Sequence, residues 1–358
     1  MPLRVLFTGG FDPAYNRTAI LRAGLRRLGH EVTEFVFSRR DSAAARRVGE
    51  LAAASDLVFL PSFTHKDVPF VKKAAAGRPV VFDPLVSRYM TKALDYKKIS
   101  RYGLGAFLNK RYDRKALEAA DLVITDTRAH LEWFAGAYGV PRSKMAVVYI
   151  GNDFSEFSPA EKEPENEVFT AGFYGGFIPL QGAMNILGAA LLLKGRSDVK
   201  FRLVGNGFQY ARALAFAREH GLGNVEFPGW LTPAALCADI RAFDAALGVF
   251  GETVKTGLVI PNKLYHYAAC RKAVVTRDTP AVRELFGDGR DVLLVDGSPA
   301  SIAAAVLRLK DDPALRTRLA EGAYALVRGR HDEEATARTL LQHAEGLART
   351  PRKDGQGV

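Results

Sequence analysis

The stretch TAGFYGGFIPLQGAMNILGAALLL, residues 170–193, contains the structural unit that the rest of the chain repeats. Its first six residues form an apolar run of the kind found in strands buried on both faces. The glycine pair Gly175-Gly176 lies at the end of this run, and the Ala- and Leu-rich residues 183–193 then predict a helix. A strand that leads through a tight turn into a helix is half of a βαβ crossover, which indicates a parallel sheet covered by helices.

Short apolar runs alternate with helical patterns along nearly the whole chain. The runs that predict strands are 3–8, 32–37, 57–61, 79–83, 121–125, 145–150, 170–175, 199–205, 224–229, 245–250, 273–278 and 291–296. Because parallel strands need long crossovers, this alternation predicts an α/β protein with doubly wound, Rossmann-like parallel sheets. A chain of 358 residues exceeds what one core usually organises, so two such domains are expected.

A polar, acidic segment with two prolines, SPAEKEPENEV at 158–168, separates two series of predicted strands. This composition is typical of a linker. We therefore predict a first domain at 1–158, a linker at 159–168, a second domain at 169–331 and a C-terminal helix at 332–349. Ligands of doubly wound sheets bind beyond the carboxyl ends of the strands, so the expected active site is a cleft between two facing domains.

Composition narrows the class of protein. No run approaches the ~18 consecutive apolar residues of a transmembrane helix, and the strand-like residues 3–8 leave no place for a signal peptide. Cys237 and Cys270 lie in apolar stretches without metal-ligand spacing, and we interpret them as buried free thiols in a reducing compartment. These features predict a cytoplasmic protein, either free or at the inner face of the cell membrane.

Positive charge is unevenly distributed. Residues 1–160 hold 25 Lys and Arg against 16 Asp and Glu, whereas the remaining residues hold 25 against 23. Much of the excess lies in 91–115, where cations alternate with Tyr and Phe. Such a segment fits either peripheral contact with an anionic membrane or an ordinary solvated helical face, and both interpretations stay open. No helix-turn-helix, zinc or RNA-recognition signature accompanies it, so nucleic-acid binding is not expected.

Two glycine pairs occupy matching places in the two halves. Gly9 and Gly10 follow the first predicted strand, and Gly175 and Gly176 follow the first strand of the second half. Glycine after a strand allows a ligand to approach the backbone closely. The matched placement predicts that each domain contributes a ligand-binding loop.

The second half resembles a known family in four segments. They are GFYGGFIPLQGAMNILGAALLL (172–193), FRLVGNG (201–207), VEFPGWLTPAALCADIRAFDAALGVFG (225–251) and PNKLYHYAACRKAVVTRDTPAVREL (261–285). They are similar to the donor-binding domain of GT-B glycosyltransferases, in particular the retaining group called family 4. In the first half, AADLVITDTRAHLEWFAGAYGVPRSKMAVVYIGND (119–153) resembles the end of the acceptor domain of that fold. The resemblance implies a GT-B fold whose last helix returns to the N-terminal domain.

The resemblance also implies a donor site. The segment Pro261-Asn262-Lys263 stands where the family holds the donor phosphate and ribose, and Lys255 lies one loop earlier. A helix start with a lysine suits a diphosphate. The other predicted donor-site positions are Gly175, Gly176, Asn206, Gly207, Phe227, Gly229 and Trp230, with Trp230 interpretable also as a core residue. Glu252 is the only acid near the expected glutamate positions and is predicted to serve the sugar hydroxyls from a different loop.

The chain departs from the family pattern at the phosphate loop. Phe177 and Gln181 stand where an Arg and a Lys are common, and His266 stands where the second of two glutamates is expected. We expect Lys255 and Lys263 to substitute for the missing cations. His266 would hydrogen-bond the ribose or a phosphate with a strength that depends on pH.

The first half offers candidates for the acceptor side. Asp83 ends a predicted strand and is the candidate for acceptor hydrogen bonding or for stabilising positive charge, so Asp83, Lys263 and His266 are the predicted catalytic residues. The predicted acceptor-binding residues are Gly9, Gly10, Asp12, Asn16, Arg17 and Arg88. Retention in this family is thought to need no protein nucleophile. The chain contains no Asp-x-Asp motif, so neither a metal nor a further cofactor is expected.

The resulting hypothesis is transfer of a sugar from a UDP- or GDP-sugar to a lipid-linked or saccharide acceptor, in bacterial surface glycan, exopolysaccharide or glycolipid synthesis. Two alternatives stay open. The departures at the phosphate loop also fit a catalytically degenerate GT-B protein that binds a nucleotide or a partner transferase. A nucleotide-sugar epimerase of related fold would convert the donor alone.

Overall fold

The computed structural model describes residues 2–162 and 165–348. The chain divides into two compact units, one comprising Met1–Gly151 together with the residues from Glu333 onward, the other Asn152–Asp332. In the described residues each unit contains one parallel sheet of six strands.

The first unit follows the predicted alternation. Its strands are β1 (Arg4–Gly9), β2 (Glu31–Val36), β3 (Leu57–Leu60), β4 (Val80–Phe82), β5 (Leu122–Thr125) and β6 (Met145–Val147), in the spatial order β2-β1-β3-β4-β5-β6. The helices between them are α1 (Asn16–Arg27), α2 (Ser42–Ala53), α3 (Val68–Ala74), α4 (Leu104–Ala119) and α5 (Arg128–Tyr138), with a π-helical turn at Met90–Asp95. Leu6 and Phe7 are both buried, in clusters on opposite faces of the sheet, which is why the strands read as continuous apolar runs.

The second unit repeats this architecture. Its strands are β7 (Phe169–Gly175), β8 (Val199–Gly205), β9 (Val225–Gly229), β10 (Ala245–Leu247), β11 (Ala273–Arg277) and β12 (Leu293–Val295), in the order β12-β11-β10-β7-β8-β9. Its helices are α6 (Ala183–Leu192), α7 (Tyr210–Glu219), α8 (Pro233–Arg241), α9 (Asn262–Ala269), α10 (Pro299–Asp311) and α11 (Pro313–Arg330). The predicted fold class, two doubly wound parallel sheets, is confirmed, and each predicted apolar run overlaps a strand.

The last helix, α12 (Glu333–Ala348), packs in the first unit against α1. Its Leu340 belongs to the same buried cluster as Leu21 and Leu25 of α1. The two helices approach so closely that a Cβ on Gly24 would lie 1.9 Å from the Glu333 carbonyl oxygen. The predicted end of this helix at 349 lies outside the described residues.

The second unit begins at Asn152, ahead of the boundary predicted at 158. The backbone N–H of Asn152 donates to the His331 carbonyl at 2.8 Å, and the side chain of Arg241 donates to both the carbonyl and the hydroxyl of Ser158 at 2.8 Å. Because these bonds attach 152–158 to the second unit, the linker-like composition of 158–168 does not mark where the chain leaves the first one. Glu163 and Pro164 lie outside the described residues.

Two expectations from composition can be compared with the structure. Cys237 and Cys270 are both buried and are not joined in a disulfide. Within 2–162 and 165–348, no helix has the length and apolar character needed to cross a membrane.

Candidate functional site

Glycines allow the carboxyl ends of β7 and β8 to pack closely against each other. Gly175 is in register with Gly205, and a Cβ on Gly205 would lie 2.0 Å from the Gly175 carbonyl oxygen. A Cβ on Gly207 would lie 1.7 Å from the Gly176 carbonyl oxygen, and Gly207 has a φ of +142°. Asn206 between them is exposed and accepts the Gly207 N–H at 2.6 Å. Close packing of the two strand ends therefore requires these glycines. The backbone at the glycine positions of the two strand ends is consequently not covered by their own side chains.

Lys263, in the first turn of α9, has a buried side chain. Its Nζ lies 3.5 Å from the Gly248 carbonyl oxygen and 3.8 Å from the centre of the Phe173 ring. No ion pair joins it to a carboxylate in the part of the chain that the structure describes, and burial lowers the pKa of the amine well below its usual value. Pro261, at the N-cap, offers no side-chain acceptor to the first amides of α9. An amine and a helix N-terminus thus combine in a place suited to an anion.

His266 lies one turn further along α9 and is also buried. Its Nδ1 is 2.7 Å from the Tyr174 hydroxyl oxygen, its ring stacks on Phe157 at 3.9 Å, and its Nε2 has no hydrogen-bond partner among the described residues. Burial lowers the pKa of His266 to about 3. The imidazole is therefore neutral at physiological pH, and the expected pH-dependent interaction is not supported near neutrality.

Glu252 and Lys255 lie in the loop after β10. Gly251 in this loop donates its N–H to the Leu180 carbonyl at 3.1 Å. Glu252 is exposed and lies 3.4 Å from an amino group of Arg277, which also donates to the Gly251 carbonyl at 3.1 Å. Lys255 is half-buried in the 3₁₀ turn Val254–Gly257. Arg277 was not among the residues predicted from the sequence, and its signal is a cation at the last position of a buried strand.

The two positions that lack the family cations have different roles. Phe177 is fully buried, with edge-to-face contacts to Phe173 and Tyr210 at 5.7 and 5.0 Å. Gln181 is half-buried, and its Oε1 is without a hydrogen-bond partner in the described part of the chain. Position 177 thus carries an apolar core side chain and position 181 a neutral amide. A cation beside the ends of β7 and β8 would therefore have to come from another loop.

The third predicted donor segment comprises the last residues of β9 and Trp230, which follows it. Phe227 is half-buried, 6.0 Å from the ring of Tyr210. Gly229 has a φ of +77°, and no described atom lies within 4 Å of a Cβ placed there. Trp230 is 76% exposed, which contradicts its interpretation as a core residue.

Asp83, the acceptor-side candidate, forms a buried ion pair with Arg17. The Arg17 Nε donates to one carboxylate oxygen at 2.5 Å, and the Leu85 N–H donates to the other at 3.1 Å. A second guanidinium nitrogen of Arg17 donates to the Val148 carbonyl at 2.8 Å. Burial raises the pKa of the Asp83 carboxyl, and Arg17 opposes that rise. Both carboxylate oxygens are therefore already engaged inside the first unit.

The glycine loop after β1 is held by side chains of its own unit. The Gly10 N–H donates to Asp67 at 2.9 Å, and a Cβ on Gly9 would lie 2.9 Å from Thr64. Asp12 is exposed and accepts the N–H of Ala14 at 2.9 Å. Asn16 begins α1, and its Nδ2 is buried with no partner in the described ranges.

A cavity of about 590 Å³ opens in the first unit beside this loop. Gly10 and Arg88 line it, as do two cations that the sequence analysis missed, Arg40 and Lys66. Asp12, Asn16, Arg17 and Asp83 do not line it. The signal for the missed residues was the placement of polar SRRD (38–41) and THKD (64–67) in the loops that follow β2 and β3. Within the described residues no group of three or more His, Cys, Asp or Glu is placed to hold a metal.

Comparison with known proteins connects this geometry to a family. Residues 186–342 match the family described as Glycosyl transferase-like. The fold matches the crystal structure of Anabaena Alr3699/HepE in complex with UDP and glucose, with a TM-score of 0.74 and 18% identity over 97% of this chain and 100% of that one. This chain has the GT-B fold. The predicted resemblance to GT-B glycosyltransferases is thereby confirmed.

The GT-B chain also has relatives by sequence. It is 28% identical over 265 residues to a D-inositol 3-phosphate glycosyltransferase of Nocardioides sp., a match that covers 64% of this chain and 54% of the relative. It is 29% identical over 170 residues to the lipopolysaccharide core biosynthesis glycosyltransferase LpsE of Rhizobium meliloti, with 47% of each chain covered. The GT-B chain thus spans about half the length of these curated relatives.

Proposed function

We propose that this GT-B chain is a glycosyltransferase that moves a sugar, with retention, from a nucleotide-diphosphate sugar to an acceptor hydroxyl in the synthesis of a bacterial surface glycan or glycolipid. The observation that carries the proposal is Lys263, a buried amine at the N-terminus of α9 with no carboxylate partner among the described residues. The relative named for UDP and glucose supports a UDP-sugar donor, and the relative named for lipopolysaccharide core synthesis supports a glycan acceptor.

The proposed chemistry follows from the charge that develops during transfer. As the bond from the sugar to the diphosphate breaks, negative charge grows on the leaving phosphate oxygens. The first amides of α9 and the amine of Lys263 would stabilise that charge in a site from which water is excluded, where such interactions are strongest. Binding of the diphosphate would also raise the pKa of Lys263 again, because a nearby anion favours the charged amine.

Thermal unfolding with nucleotides tests the donor site. UDP, GDP, ADP and CMP are added without metal, and UDP is expected to stabilise the wild type by about 2.7 kcal/mol at 100 times its Kd, because it binds the folded state alone. The matched sugar conjugates are then assayed for transfer. No response to any nucleotide would favour the degenerate pocket, whereas conversion of the donor without an acceptor would favour the epimerase.

Contact with an anionic membrane surface is part of the proposal. Tyr102, Leu104 and Phe107, at the start of α4, are 82%, 73% and 59% exposed. The acidic residues of 91–115 are Asp95 and Asp113, and both are buried. The exposed charges of this segment are therefore all positive, and they surround apolar side chains. This combination supports binding to anionic lipid through both charge and apolar insertion.

Replacing Leu104 and Phe107 by serine is expected to weaken binding to phosphatidylglycerol vesicles by more than about tenfold, because burying each apolar side chain contributes about 1.5–3 kcal/mol. Vesicle co-sedimentation measures the effect. Leu192→Ser is the matched control, since Leu192 is 60% exposed on α6 in the other unit. Equal loss of binding in the control, or no loss in the double variant, would contradict membrane contact through this face.

A further inference from the structure

Arg277 joins the end of β11 to the loop that follows β10. It is the last residue of β11, which lies beside β10 in the sheet. One guanidinium nitrogen donates to the carbonyl oxygens of Phe250 and Gly251 at 3.4 and 3.1 Å. The same nitrogen lies 3.4 Å from a carboxylate oxygen of Glu252. Arg277 thus contacts three consecutive residues of this loop, and its side chain is only 24% exposed.

A second side chain holds the same loop from another direction. Asn185, in the first turn of α6, donates its amide to the Phe250 carbonyl at 3.1 Å and to the Gly297 carbonyl at 2.8 Å. Gly297 has a φ of +87°, and a Cβ there would lie 3.2 Å from both the Arg277 nitrogen and the Phe250 carbonyl oxygen. Glycine therefore allows the loop after β12 to approach these groups closely. The end of β11, α6 and the loop after β12 thus meet at the Phe250 carbonyl.

The backbone of the loop after β10 is fixed as far as Gly251. The N–H groups of Phe250 and Gly251 donate to the carbonyls of Gln181 and Leu180, each at 3.1 Å. A Cβ on Gly251 would lie 2.3 Å from the Pro179 carbonyl oxygen. Because the loops after β7 and β10 meet backbone to backbone, movement at these positions would break the hydrogen bonds between them. The next residue of the chain is therefore presented from a rigid backbone.

Glu252 is that next residue, and its side chain is 75% exposed. The sequence predicts that its carboxylate serves the sugar hydroxyls of the donor. An exposed glutamate samples several rotamers, and fixing one of them costs conformational entropy when a ligand binds. The ion pair with Arg277 restricts these rotamers beforehand. The guanidinium also offsets the negative charge of the carboxylate, which would otherwise repel the diphosphate of a donor.

We propose that Arg277 is a positioning residue for the sugar of the donor. It holds the loop after β10 and orients the Glu252 carboxylate, which in turn accepts hydrogen bonds from the sugar hydroxyls. The inference rests on the proposed function and deepens it, because it assigns a residue that sets the affinity for the sugar but not for the nucleotide. Arginine suits this role better than lysine, since its planar guanidinium serves several acceptors in fixed directions.

Binding of nucleotides and nucleotide sugars to the full chain tests the inference. Kd values for UDP, UDP-glucose, UDP-N-acetylglucosamine, GDP and GDP-mannose are measured by calorimetry without metal. The comparison uses the nucleotide sugar whose Kd in the wild type improves most on that of its own nucleotide. Arg277→Met is expected to weaken binding of that sugar conjugate at least about tenfold and to change the Kd of the free nucleotide less than about twofold. Arg283→Met, which removes an exposed arginine paired with Asp278 after the same strand, is expected to match the wild type.

A double variant shows whether Arg277 acts through Glu252. Glu252→Gln is expected to weaken the same nucleotide sugar, and adding Arg277→Met should weaken it little further, because both substitutions remove one arrangement. Additive effects of the two substitutions would overturn the inference. An equal loss of affinity for the nucleotide and for its sugar conjugate in Arg277→Met would also overturn it, since that result indicates a general disturbance of the donor site.

The remaining outcomes separate this inference from the proposed function. If Arg277→Met does not fold, Arg277→Lys replaces it, with a smaller expected loss that is again confined to the sugar conjugate, because the amine keeps the charge but not the fixed geometry. A wild type that binds a nucleotide without preference for any of the sugar conjugates overturns the inference, since no sugar contact then depends on Arg277. A wild type that binds none of the five ligands counts against the proposed function instead.

Discussion

Replacing Lys263 by methionine is expected to lower kcat/KM for the nucleotide-sugar donor by about 100-fold. Methionine keeps much of the length and the apolar contacts of the side chain but removes the cation that would meet the diphosphate. The loss should appear in kcat as well as in KM, because charge on the leaving phosphate grows toward the transition state. Steady-state kinetics with the donor identified by thermal unfolding measures it.

The same substitution separates a functional lysine from a structural one. Lys263 is buried without a carboxylate partner among the described residues. Burial of its amine therefore does not stabilise the folded protein. The unfolding free energy of Lys263→Met without ligand should therefore equal or exceed that of the wild type. Lys200→Met is the control, because it makes the same substitution at a surface lysine of β8, which pairs with Glu226. A variant that is less stable but fully active would show that Lys263 serves the fold alone.

Replacing Arg17 by methionine is expected to destabilise the protein by about 3–5 kcal/mol, because it leaves the buried Asp83 carboxylate without its cation. Denaturant unfolding of the variant measures the change. The size of the effect follows from burial, since an exposed ion pair contributes only about 0–1 kcal/mol.

The double variant Arg17→Met/Asp83→Asn tests whether the unpaired Asp83 carboxylate causes the loss of stability in Arg17→Met. Neutralising the carboxyl should recover much of the lost stability, because no uncompensated charge remains. The single variant Asp83→Asn, assayed well below its unfolding temperature, then reports on the acceptor role. Activity near the wild-type value would restrict Asp83 to the fold, and a loss of stability below about 1 kcal/mol in Arg17→Met would contradict the strength assigned to the pair.

Most of the strands were predictable because they are short apolar runs, and a strand buried on both faces produces such a run in the local sequence. Contacts between distant parts of the chain produce no comparable pattern in the local sequence. Arg17 and Asp83 are 66 positions apart, and His266 and Tyr174 are 92 apart. The position of Asp83 at the end of a strand was predictable, but the pairing of its carboxylate with Arg17 was not.

The candidate site divides in the same way. The start of α9 was visible from Pro261 and Lys263, since a proline followed by a helical pattern marks a helix N-terminus. The cavity beside the loop after β1 was not predictable, because Arg40 and Lys66, which line it, follow different strands and only the sheet order brings β2, β1 and β3 side by side. The burial of Phe177 and the exposure of Trp230 likewise depend on spatial neighbours that the local sequence does not predict.

The position of α12 has a consequence for how the protein is made. Residues 2–151 leave the ribosome first, yet the helix that covers α1 is synthesised only after the whole second unit. At about 5–20 residues per second, the intervening residues 152–332 take roughly 9–36 s to appear. During that interval Leu21 and Leu25 lack the cover that Leu340 later provides. The nascent first unit therefore exposes apolar surface on α1 until α12 has been synthesised, and the second unit is free to finish folding before the first.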